Sequence, residues 1–357
     1  MIAPGGTLGI VGGGQLGRML ALAAAQLGLK VHVYAPDADS PAFDVAAFRT
    51  CAPYDDEDAL AAFAGACDAV TVEFENVPGA TAAFVAERTP FHPSPRALAA
   101  TQDRLDEKTF VASLGIPTAP FRGAANGEEM ARAVAEIGLP AVLKTRRFGY
   151  DGKGQAVIRP GDDPQRALAS LGHAPCILEG FVAFEREVSV VAARGADGRF
   201  AAYDLCANTH RDHILDVTEV PAGVDAGTEA EALGIARAIA EGLDYVGVLA
   251  VEMFLVRAGG AERLVVNEIA PRVHNSGHWT IEGAVTSQFE QHVRAVCGWP
   301  LGATRRRGQV RMQNLIGAAA EDWATVAADP EARLHLYGKG KARPGRKMGH
   351  ATWVTPD

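Results

Sequence analysis

The 357-residue sequence predicts a mixed fold, with an α/β region first, an α+β region in the middle and a small β-rich region at the end. Three observations predict this fold class. A strand, a glycine-rich turn and a helix open the chain, as in a parallel α/β sheet. The middle mixes short strands with glycine loops and helices. Beyond Trp299-Pro300, about 55 residues rich in Gly and Arg hold short strand-like pieces.

The elements follow from apolar runs and the residues that interrupt them. In the first region we expect strands at 8–11, 31–34 and 68–73, a helix from Gln15 to about Leu27 that Gly28 stops, and a boundary at prolines 90, 93 and 95. Beyond it we expect helices at 101–115 and 228–241, and strands at 140–144, 155–159, 176–179, 187–193, 248–256 and 264–269.

Composition excludes several classes of protein. At roughly 150 residues per domain, the length suggests two or three domains, whose cores need no disulfide or metal. The net charge of -9 argues against general nucleic-acid binding. The five cysteines are scattered and form no CxxC pair, which indicates reduced thiols. The apolar run Met19–Ala25 is far shorter than the roughly 20 residues that span a bilayer. We therefore expect a soluble, cytoplasmic protein without nucleic-acid or membrane partners.

The first glycine loop leaves three interpretations open. Gly12, Gly14 and Gly17 match GxGxxG between a predicted strand and a predicted helix, where backbone N–H groups can hold a pyrophosphate. Asp37 lies beyond the end of the next strand and fits a ribose acceptor only loosely. The loop is compatible with an NAD-dependent oxidoreductase, with a tight turn that only packs, or with a site for a different phosphorylated ligand.

Two carboxylates are predicted to face each other across a hairpin. If the strands pair symmetrically about Gly260, Glu252 stands opposite Glu268 on one face of the sheet. Carboxylates about 4 Å apart repel by about 4 kcal/mol at an effective dielectric of about 20. A cation between them is therefore expected, and Mg²⁺ holding nucleotide phosphates is the simplest candidate, with Asn267 as a further oxygen ligand. Alternatively, the register slips, and the acids are solvated or paired with arginine 257, 263 or 272.

A second glycine loop follows Lys144, which ends an apolar strand. Within 148–155 the loop carries Gly149, Gly152 and Gly154. Glycine-rich backbone can close over phosphates while a strand-borne lysine supplies charge, as phosphoryl transfer requires. The loop is not a Walker A motif, because no GK[ST] follows. A plain surface hairpin with a flexible tip is the alternative.

A basic run lies near the C-terminus. Between Leu336 and Pro356 there is no acidic residue, and the basic residues are Lys339, Lys341, Arg343, Arg346 and Lys347. A solvated basic face is the commonest meaning of such a run. The Pro344-Gly345 bend and the apolar flanks favour an ordered anion pocket instead, and both interpretations stay open.

Together these segments resemble the ATP-grasp superfamily and, within it, the N5-carboxyaminoimidazole ribonucleotide synthetases of purine biosynthesis. The matching segments span nearly the whole chain in order and are jointly specific. They are GGGQLGRM from Gly12, EFENVP from Glu73, the Asp103-Arg104 helix start, KTRRFGYDGKGQ from Lys144, EGFVAFEREVS from Glu179, NTHRDHI from Asn208, NEIAPRVHNSGHWT from Asn267 and RPGRKMGH from Arg343.

The resemblance implies a domain organisation and a nucleotide site. The implied domains are a Rossmann-like N-terminal domain over 1–98, a central ATP-grasp domain over 99–298 and a small C-terminal β-rich domain over 299–357. By this likeness, ATP is held by Arg104 and Lys144 at its phosphates, by the covering loop from Gly149 to Gln155, by Glu179 and the backbone through Val182 at adenine, and by Glu187 at the ribose, with His210 nearby. Glu252 and Glu268 would carry Mg²⁺, with Asn267 beside them.

The resemblance also implies a ribonucleotide site and a reaction. The ribonucleotide site would comprise Gln15, Glu73, Tyr150, Asp151, Arg272, Lys339 and Arg346, and the catalytic residues would be Tyr150, Asp151, Lys153 and Arg272. The implied reaction uses ATP and bicarbonate to carboxylate 5-aminoimidazole ribonucleotide through carboxyphosphate, in a homodimer. Two alternatives are a formate-dependent or biotin-type relative in the same superfamily, and an oxidoreductase that would leave Lys144, Glu252 and Glu268 unexplained. A non-enzymatic nucleotide-binding module would not need the basic run.

Overall fold

The first region of the chain is a parallel α/β sheet. The computed structural model describes residues 1–149 and 152–357. The elements here are β1 (Thr7–Val11), α1 (Gln15–Gln26), β2 (Lys30–Ala35), a 3-10 helix (Pro41–Asp44), β3 (Phe48–Cys51), α2 (Glu57–Gly65), β4 (Ala69–Val72), α3 (Gly79–Ala86) and β5 (Phe91–His92). The described strands follow the order β3-β2-β1-β4-β5. β1 and β2 are buried on both faces, as parallel strands covered by helices are. Gly28, at φ +74°, follows α1 and confirms the predicted helix stop.

A small antiparallel sheet comes next. Its region contains α4 (Pro95–Gln102), α5 (Arg104–Ser113), β6 (Phe121–Ala124), α6 (Gly127–Ile137), β7 (Ala141–Thr145), β8 (Gln155–Ile158), α7 (Pro164–Ser170) and β9 (Cys176–Gly180). The strands lie in the order β6-β9-β7-β8 and pack their apolar side chains into a core of their own with α6 and α7. Three of its strands follow from the predicted apolar runs, and β6 was not predicted.

The helix predicted over 101–115 is wrong in its first residues. Thr101 belongs to α4, and Asp103 separates the two helices with extended backbone at φ -118° and ψ 118°. The Asp103 carboxylate accepts a hydrogen bond from the N–H of Leu105 at 3.0 Å, which makes Asp103 the N-cap of α5. The break places Arg104 at the first position of a new helix.

A large antiparallel sheet forms the centre of the molecule. Its elements before residue 300 are β10 (Arg186–Arg194), β11 (Phe200–Ala202), β12 (Cys206–Arg211), β13 (Ile214–Val220), α8 (Ala226–Gly242), β14 (Gly247–Ala258), β15 (Ala261–Ala270), a 3-10 helix (Asn275–Gly277), α9 (Thr280–Gly283) and α10 (Gln288–Val296). Helix α8 covers one face with an apolar core, and α10 packs on the other. The predicted strands at 187–193, 248–256 and 264–269 and the helix at 228–241 are confirmed to within a few residues.

The C-terminal strands continue this large sheet. They comprise β16 (Gln309–Ile316), a 3-10 helix (Gly317–Asp322), α11 (Trp323–Ala328), β17 (Arg333–Leu336) and β18 (Lys347–Thr355). Strand β16 pairs with β13, so the order among the described strands is β15-β14-β10-β12-β13-β16-β18-β17, with β11 beside β10. The C-terminal strands are therefore hydrogen-bonded directly to the sheet of the middle region. None of the helices in the described ranges is both long and apolar enough to cross a membrane.

Candidate active site

Glu252 and Glu268 stand opposite each other, as predicted. The symmetric pairing about Gly260 from which this was predicted is wrong, however, at the tip of the hairpin. The ladder begins with Ala258 opposite Ala261, and it would place Glu252 opposite Asn267 if it continued unchanged. A register shift between Glu252 and Met253 inserts Asn267 as an extra residue, a β-bulge, and brings Glu268 into place. The two acids therefore share a face because a bulge corrects the register.

Each acid of the pair has a basic partner from outside the hairpin. Arg104 Nη1 donates to Glu268 Oε2 at 2.8 Å, and His274 Nε2 lies 2.9 Å from Glu252 Oε1. Burial favours a higher pKa for Glu268, but the charge and hydrogen bond of Arg104 outweigh burial and lower that pKa to about 2. Two of the three arginines considered as alternative partners are bound elsewhere, Arg257 to Glu185 and Glu262 and Arg272 to Glu75, and Arg263 is exposed.

Lys144 reaches the acid hairpin from the small sheet. Its Nζ donates to Glu179 Oε2 at 3.0 Å and to Asn267 Oδ1 at 3.3 Å. Lys108 from α5 lies 3.5 Å from the same Glu179 oxygen and donates to the carbonyl of Val266. The opposing effect of burial is outweighed by Lys144, and the pKa of Glu179 is lowered. The other oxygen of Glu179, Oε1, is buried and has no hydrogen-bond partner among the described residues, so it can accept from a ligand donor such as an adenine amino group.

The second glycine loop connects β7 and β8. Lys144 pairs with Gln155, and the N–H of Thr145 donates to the carbonyl of Gly154 at 2.8 Å, so the loop starts where the sequence predicts. Arg104 Nη2 donates to the carbonyl of Gly149 at 3.3 Å. Lys153 is exposed. Tyr150 and Asp151, which the resemblance assigns to the ribonucleotide and to catalysis, lie outside the described residues.

The far side of this loop meets the large sheet. Gly152 has φ +75°, and a Cβ added there would lie 2.5 Å from Cβ of His213, which sits in the turn between β12 and β13. The glycine loop therefore reaches from the small sheet to the large one. A cleft closed by this contact would exclude water from bound phosphates.

Two residues from neighbouring strands lie beside Glu252 of the acid pair. Glu187 on β10, His210 on β12 and Glu252 on β14 hold ligand atoms within 4.8 Å of one another, a spacing that could also hold a metal ion. Burial lowers the pKa of His210, but Glu187, 3.1 Å away, outweighs burial and raises it. Val182 lies in the connection from β9 to β10, which joins the two sheets.

The side chain of Glu73 fills the first glycine loop. Glu73 Oε1 accepts the N–H of Gly14 at 2.8 Å, and Glu73 Oε2 accepts the N–H of Gly17 at 3.1 Å. Cβ atoms added at Gly12 or Gly14 would collide with this carboxylate, so the glycines make room for it. Because Glu73 occupies the backbone donors that a pyrophosphate would need, the loop does not support the oxidoreductase interpretation. Burial raises the pKa of Glu73 despite these two hydrogen bonds.

The ribonucleotide residues predicted near this loop lie at the junction of the first region with the middle one. Gln15 is the first residue of α1, directly after the loop. The Arg272 guanidinium forms an ion pair with Glu75, two residues beyond Glu73. Arg272 therefore ties the segment after β15 to the segment after β4.

The structure divides the basic run into two groups. Lys339, Arg346 and Lys347 are partly buried, and Lys341 and Arg343 are exposed. Lys339 Nζ donates to the carbonyl of Lys347 at 2.9 Å, and Arg346 Nη1 donates to the carbonyl of Lys341 at 3.4 Å. The partly buried group has the restricted side chains expected of an anion pocket. The exposed group fits the solvated-face interpretation.

The donor set at the hairpin suits a hard divalent cation. Mg²⁺ prefers oxygen ligands, and the hairpin offers two carboxylates and the amide oxygen of Asn267. Lys144, which contacts Asn267, can hold nucleotide phosphates beside the metal. The residues present therefore fit the metal and the nucleotide that the sequence predicts.

Comparisons with known proteins agree with this geometry. Family models match a ribonucleotide synthetase preATP-grasp domain at residues 6–102, an ATP-grasp domain at 109–289 and a phosphoribosylaminoimidazole carboxylase C-terminal domain at 311–357. N5-carboxyaminoimidazole ribonucleotide synthase of Brucella melitensis is 48% identical over 99% of this chain and 98% of its own length. The chain belongs to the N5-carboxyaminoimidazole ribonucleotide synthase family.

Solved structures of the family superpose on nearly all of the chain. The ADP complex of one N5-carboxyaminoimidazole ribonucleotide synthetase has a TM-score of 0.95 at 41% identity, covering 100% of this chain and 94% of the other. The Aspergillus clavatus synthase in complex with ADP and 5-aminoimidazole ribonucleotide has a TM-score of 0.90 at 31% identity, covering 99% and 94%. The predicted three-part ATP-grasp architecture is confirmed.

Sequence reasoning missed two charged residues at the core of this synthase-family site. Glu107 and Lys108 are buried on α5, one turn beyond Arg104. Burial, chiefly, and the charge of Glu268 raise the pKa of Glu107 to about 8, and burial lowers that of Lys108. Their spacing of three and four from Arg104 puts all three on one helix face, a signal that the sequence did contain. His274 was quoted in a motif but not singled out.

Proposed function

We propose that this chain is an ATP-dependent ligase that carboxylates 5-aminoimidazole ribonucleotide with bicarbonate, giving N5-carboxyaminoimidazole ribonucleotide, ADP and phosphate in purine biosynthesis. The observation that carries the proposal lies between the two antiparallel sheets, where Arg104 contacts Glu268, Glu268 stands opposite Glu252, and Lys144 contacts the adjacent Asn267. A magnesium–triphosphate complex needs basic side chains to hold its phosphates and acidic side chains to hold its metal ion. The family membership of the whole chain supports the same reaction.

The chemistry needs positioning more than a protein nucleophile. A bicarbonate oxygen attacks the γ-phosphorus, and the bond from that phosphorus to ADP breaks, which gives carboxyphosphate. Carboxyphosphate then divides into carbon dioxide and phosphate, and the exocyclic amine bonds to the carbon and gives up a proton. The protein must orient the reactants, neutralise charge and exclude water that would hydrolyse the intermediate.

For the nucleotide, the proposal keeps the residues that the sequence predicted. Arg104 and Lys144 would hold the phosphates, and the loop with Gly149, Gly152, Gly154 and Gln155 would cover them. Glu179 supports a place for adenine, since its Oε1 is buried and lacks a partner within the described residues. Val182 backbone would complete that place, Glu187 would bind the ribose, and His210 would lie beside them.

Magnesium belongs to this proposal as well. Glu252 and Glu268 would hold it, with Asn267 as a neighbouring oxygen donor, and it would neutralise phosphate charge when bound. Arg104 would then exchange part of its contact with Glu268 for a phosphate oxygen. The low pKa of Glu268 supports the role, because the carboxylate stays ionised at neutral pH.

The ribonucleotide would bind where the first region meets the large sheet. Gln15, Glu73 and Arg272 would contribute to it from that junction, and Lys339 with Arg346 would hold the 5′-phosphate. Arg272, Lys153, Tyr150 and Asp151 are proposed to act on the reacting groups. Support for the phosphate place comes from the partial burial of Lys339 and Arg346 and their bonds to backbone carbonyls, which restrict both side chains.

We further propose domain limits at 1–98, 99–298 and 299–357, and a cytoplasmic homodimer without nucleic-acid or membrane partners. The net charge of -9 supports the absence of nucleic-acid binding. Analytical ultracentrifugation tests the dimer directly, because a monomer at micromolar concentration contradicts it.

A steady-state ADP assay tests the reaction. ADP release should require both 5-aminoimidazole ribonucleotide and bicarbonate, and omission of either should reduce it to background. Equal turnover with glycinamide ribonucleotide and formate would transfer the chain to the formate-dependent alternative. Turnover of NAD would restore the oxidoreductase interpretation.

Two variants test the map of the site. Glu268→Ala should abolish magnesium-dependent ADP release, since it removes a proposed metal ligand. Lys339→Ala should mainly raise the KM for the ribonucleotide and leave the KM for ATP within about twofold. The reverse pattern would contradict the assignment of these two residues.

A further inference from the structure

A chain of buried polar side chains runs beneath the proposed active site. Thr218 on β13, Asn208 on β12 and Ser189 on β10 lie on neighbouring strands, and Ser276 lies in the 3-10 helix after β15. Ser189, Thr218 and Ser276 are completely buried, and Asn208 is 7% exposed. The chain ends at His274, which contacts Glu252. Buried polar groups of this kind are retained where each finds a partner.

The hydrogen bonds of this chain run in one direction. Thr218 Oγ1 donates to Asn208 Oδ1 at 2.9 Å, and Asn208 Nδ2 donates to Ser189 Oγ at 2.8 Å. Ser189 Oγ then donates to Ser276 Oγ at 2.7 Å. Because Ser276 accepts from Ser189, its own hydrogen is available for His274 Nδ1, 2.9 Å away.

A backbone donor fixes the end of the chain independently. The N–H of Ser276 points at His274 Nδ1 at 3.3 Å, so that nitrogen is an acceptor whichever way the hydroxyl turns. In a neutral imidazole the proton must then lie on Nε2. His274 Nε2 faces Glu252 Oε1 at 2.9 Å, where an N–H donor is required.

The main chain of His274 is clamped as well. The N–H of His274 donates to Gln288 Oε1 at 2.9 Å, and Gln288 Nε2 donates to the carbonyl of His274 at 2.6 Å. Gln288 is itself completely buried. With the backbone held, the ring of His274 is the part whose orientation depends on Ser276.

We propose that Thr218, Asn208, Ser189 and Ser276 are positioning residues that hold His274 as its Nε2–H tautomer and aim that N–H at Glu252. The consequence is a Glu252 carboxylate fixed in the orientation that faces Glu268. The other tautomer would oppose two donors at Ser276 and two acceptors at Glu252, and a flipped ring would put C–H groups in both places. This inference rests on the proposed function, because Glu252 matters as a proposed metal ligand.

The test combines ring spectroscopy with metal dependence. The full chain labelled with ¹⁵N-histidine is examined without ligand under conditions in which His274 is neutral, and its signals are assigned by their loss in His274→Gln. The variants Ser276→Ala and Thr218→Val each interrupt the chain of hydrogen bonds, and Thr218→Val also preserves the shape of the side chain. Thr352→Val is the matched control, because Thr352 is equally buried in the same sheet and its hydroxyl has no partner among the described residues.

The wild type should show the Nε2–H tautomer alone. Ser276→Ala and Thr218→Val should show mixed or averaged ring signals and need about tenfold more Mg²⁺ for half-maximal ADP release, a typical effect of losing a group that orients a metal ligand. Thr352→Val should match the wild type in both. An Nδ1–H tautomer in the wild type, or wild-type signals and Mg²⁺ requirement in both chain variants, would overturn the inference. Failure of the proposed function would appear instead as absent ADP release, whereas the ring signals need no turnover.

Discussion

The carboxylate of Glu73 provides a measurable test of how the first glycine loop is held. It accepts backbone N–H groups from Gly14 at 2.8 Å and from Gly17 at 3.1 Å, one on each oxygen. Glu73→Gln keeps the shape of the side chain but leaves one oxygen. One of the two backbone donors would then face the NH₂ group of glutamine, donor against donor, in a buried position.

The expected loss can be estimated from these contacts. Hydrogen bonds to a charged group contribute about 1.5–3 kcal/mol each, and a neutral bond contributes about 1 kcal/mol. Glutamine would keep one neutral bond and leave one buried donor opposed. Relief from burying the charge, which raises the pKa of Glu73 in the wild type, offsets part of the loss. We expect a net destabilisation of the loop of about 2 kcal/mol, which corresponds to about 30-fold faster amide exchange.

Hydrogen–deuterium exchange of the Gly14 and Gly17 amides is the assay. Asp68→Asn is the control, because the Asp68 carboxylate accepts one N–H, from Thr7 at 2.7 Å, in an exposed place where the second group can turn to water. The control should leave exchange in the glycine loop unchanged. Wild-type exchange rates for both glycines in Glu73→Gln would refute the claim that this carboxylate holds the loop.

Two further predictions concern α5 and the second glycine loop. The pKa of Glu107 is raised from 4.5 to about 8, chiefly by burial. The protonated carboxyl group therefore contributes stability that is fully present below about pH 4.5 and is lost as the pH rises through about 8. Glu107→Gln should therefore flatten the urea stability profile between about pH 5 and 8, and an unchanged slope would contradict this. Gly152→Ala should raise the KM for ATP about tenfold, since a methyl group meets His213, whereas Gly161→Ala, at φ +96° in open space, should not. If both substitutions raised the KM for ATP equally, the effect would come from backbone strain alone, and the proposed contact with His213 would be contradicted.

The strand and helix order was predictable because the sequence marks each element locally. Apolar runs of four to nine residues between glycines and prolines gave most of the strands that carry the site, including β7, β9, β10, β14 and β15. Strands outside those runs, such as β6, β12 and β13, were missed because polar residues interrupt them. Local pattern also could not show that β16 pairs with β13 and β18 with β16, since long-range pairing leaves no local signal.

The acid pair shows how a correct result can depend on a feature the sequence hides. Equal spacing about Gly260 placed Glu252 opposite Glu268, but the turn itself uses Gly259 and Gly260 as its two central residues. That turn alone would have moved the partner of Glu252 by one residue. The bulge at Asn267 restores the pairing, and equal spacing about the turn gives no sign of it.

Other parts of the site could have been found, and some could not. Asp103 is a strong N-cap residue, and its position predicts the break before Arg104 once two helices are allowed. The role of His274 depends on the register of β10, β12 and β13 together with a turn far along the chain. No periodicity of the sequence brings those residues together before the fold is known.

Transfer of oxygen from bicarbonate to phosphate tests the central claim most directly. With ¹⁸O-labelled bicarbonate, ATP and 5-aminoimidazole ribonucleotide, attack of a bicarbonate oxygen on the γ-phosphorus should leave one labelled oxygen in each phosphate released, in step with formation of the carbamate product. Mass spectrometry of the phosphate reads this out. Phosphate that carries no label while ADP accumulates would mean that water takes the phosphoryl group, and would contradict the assignment of this cleft to carboxyphosphate formation.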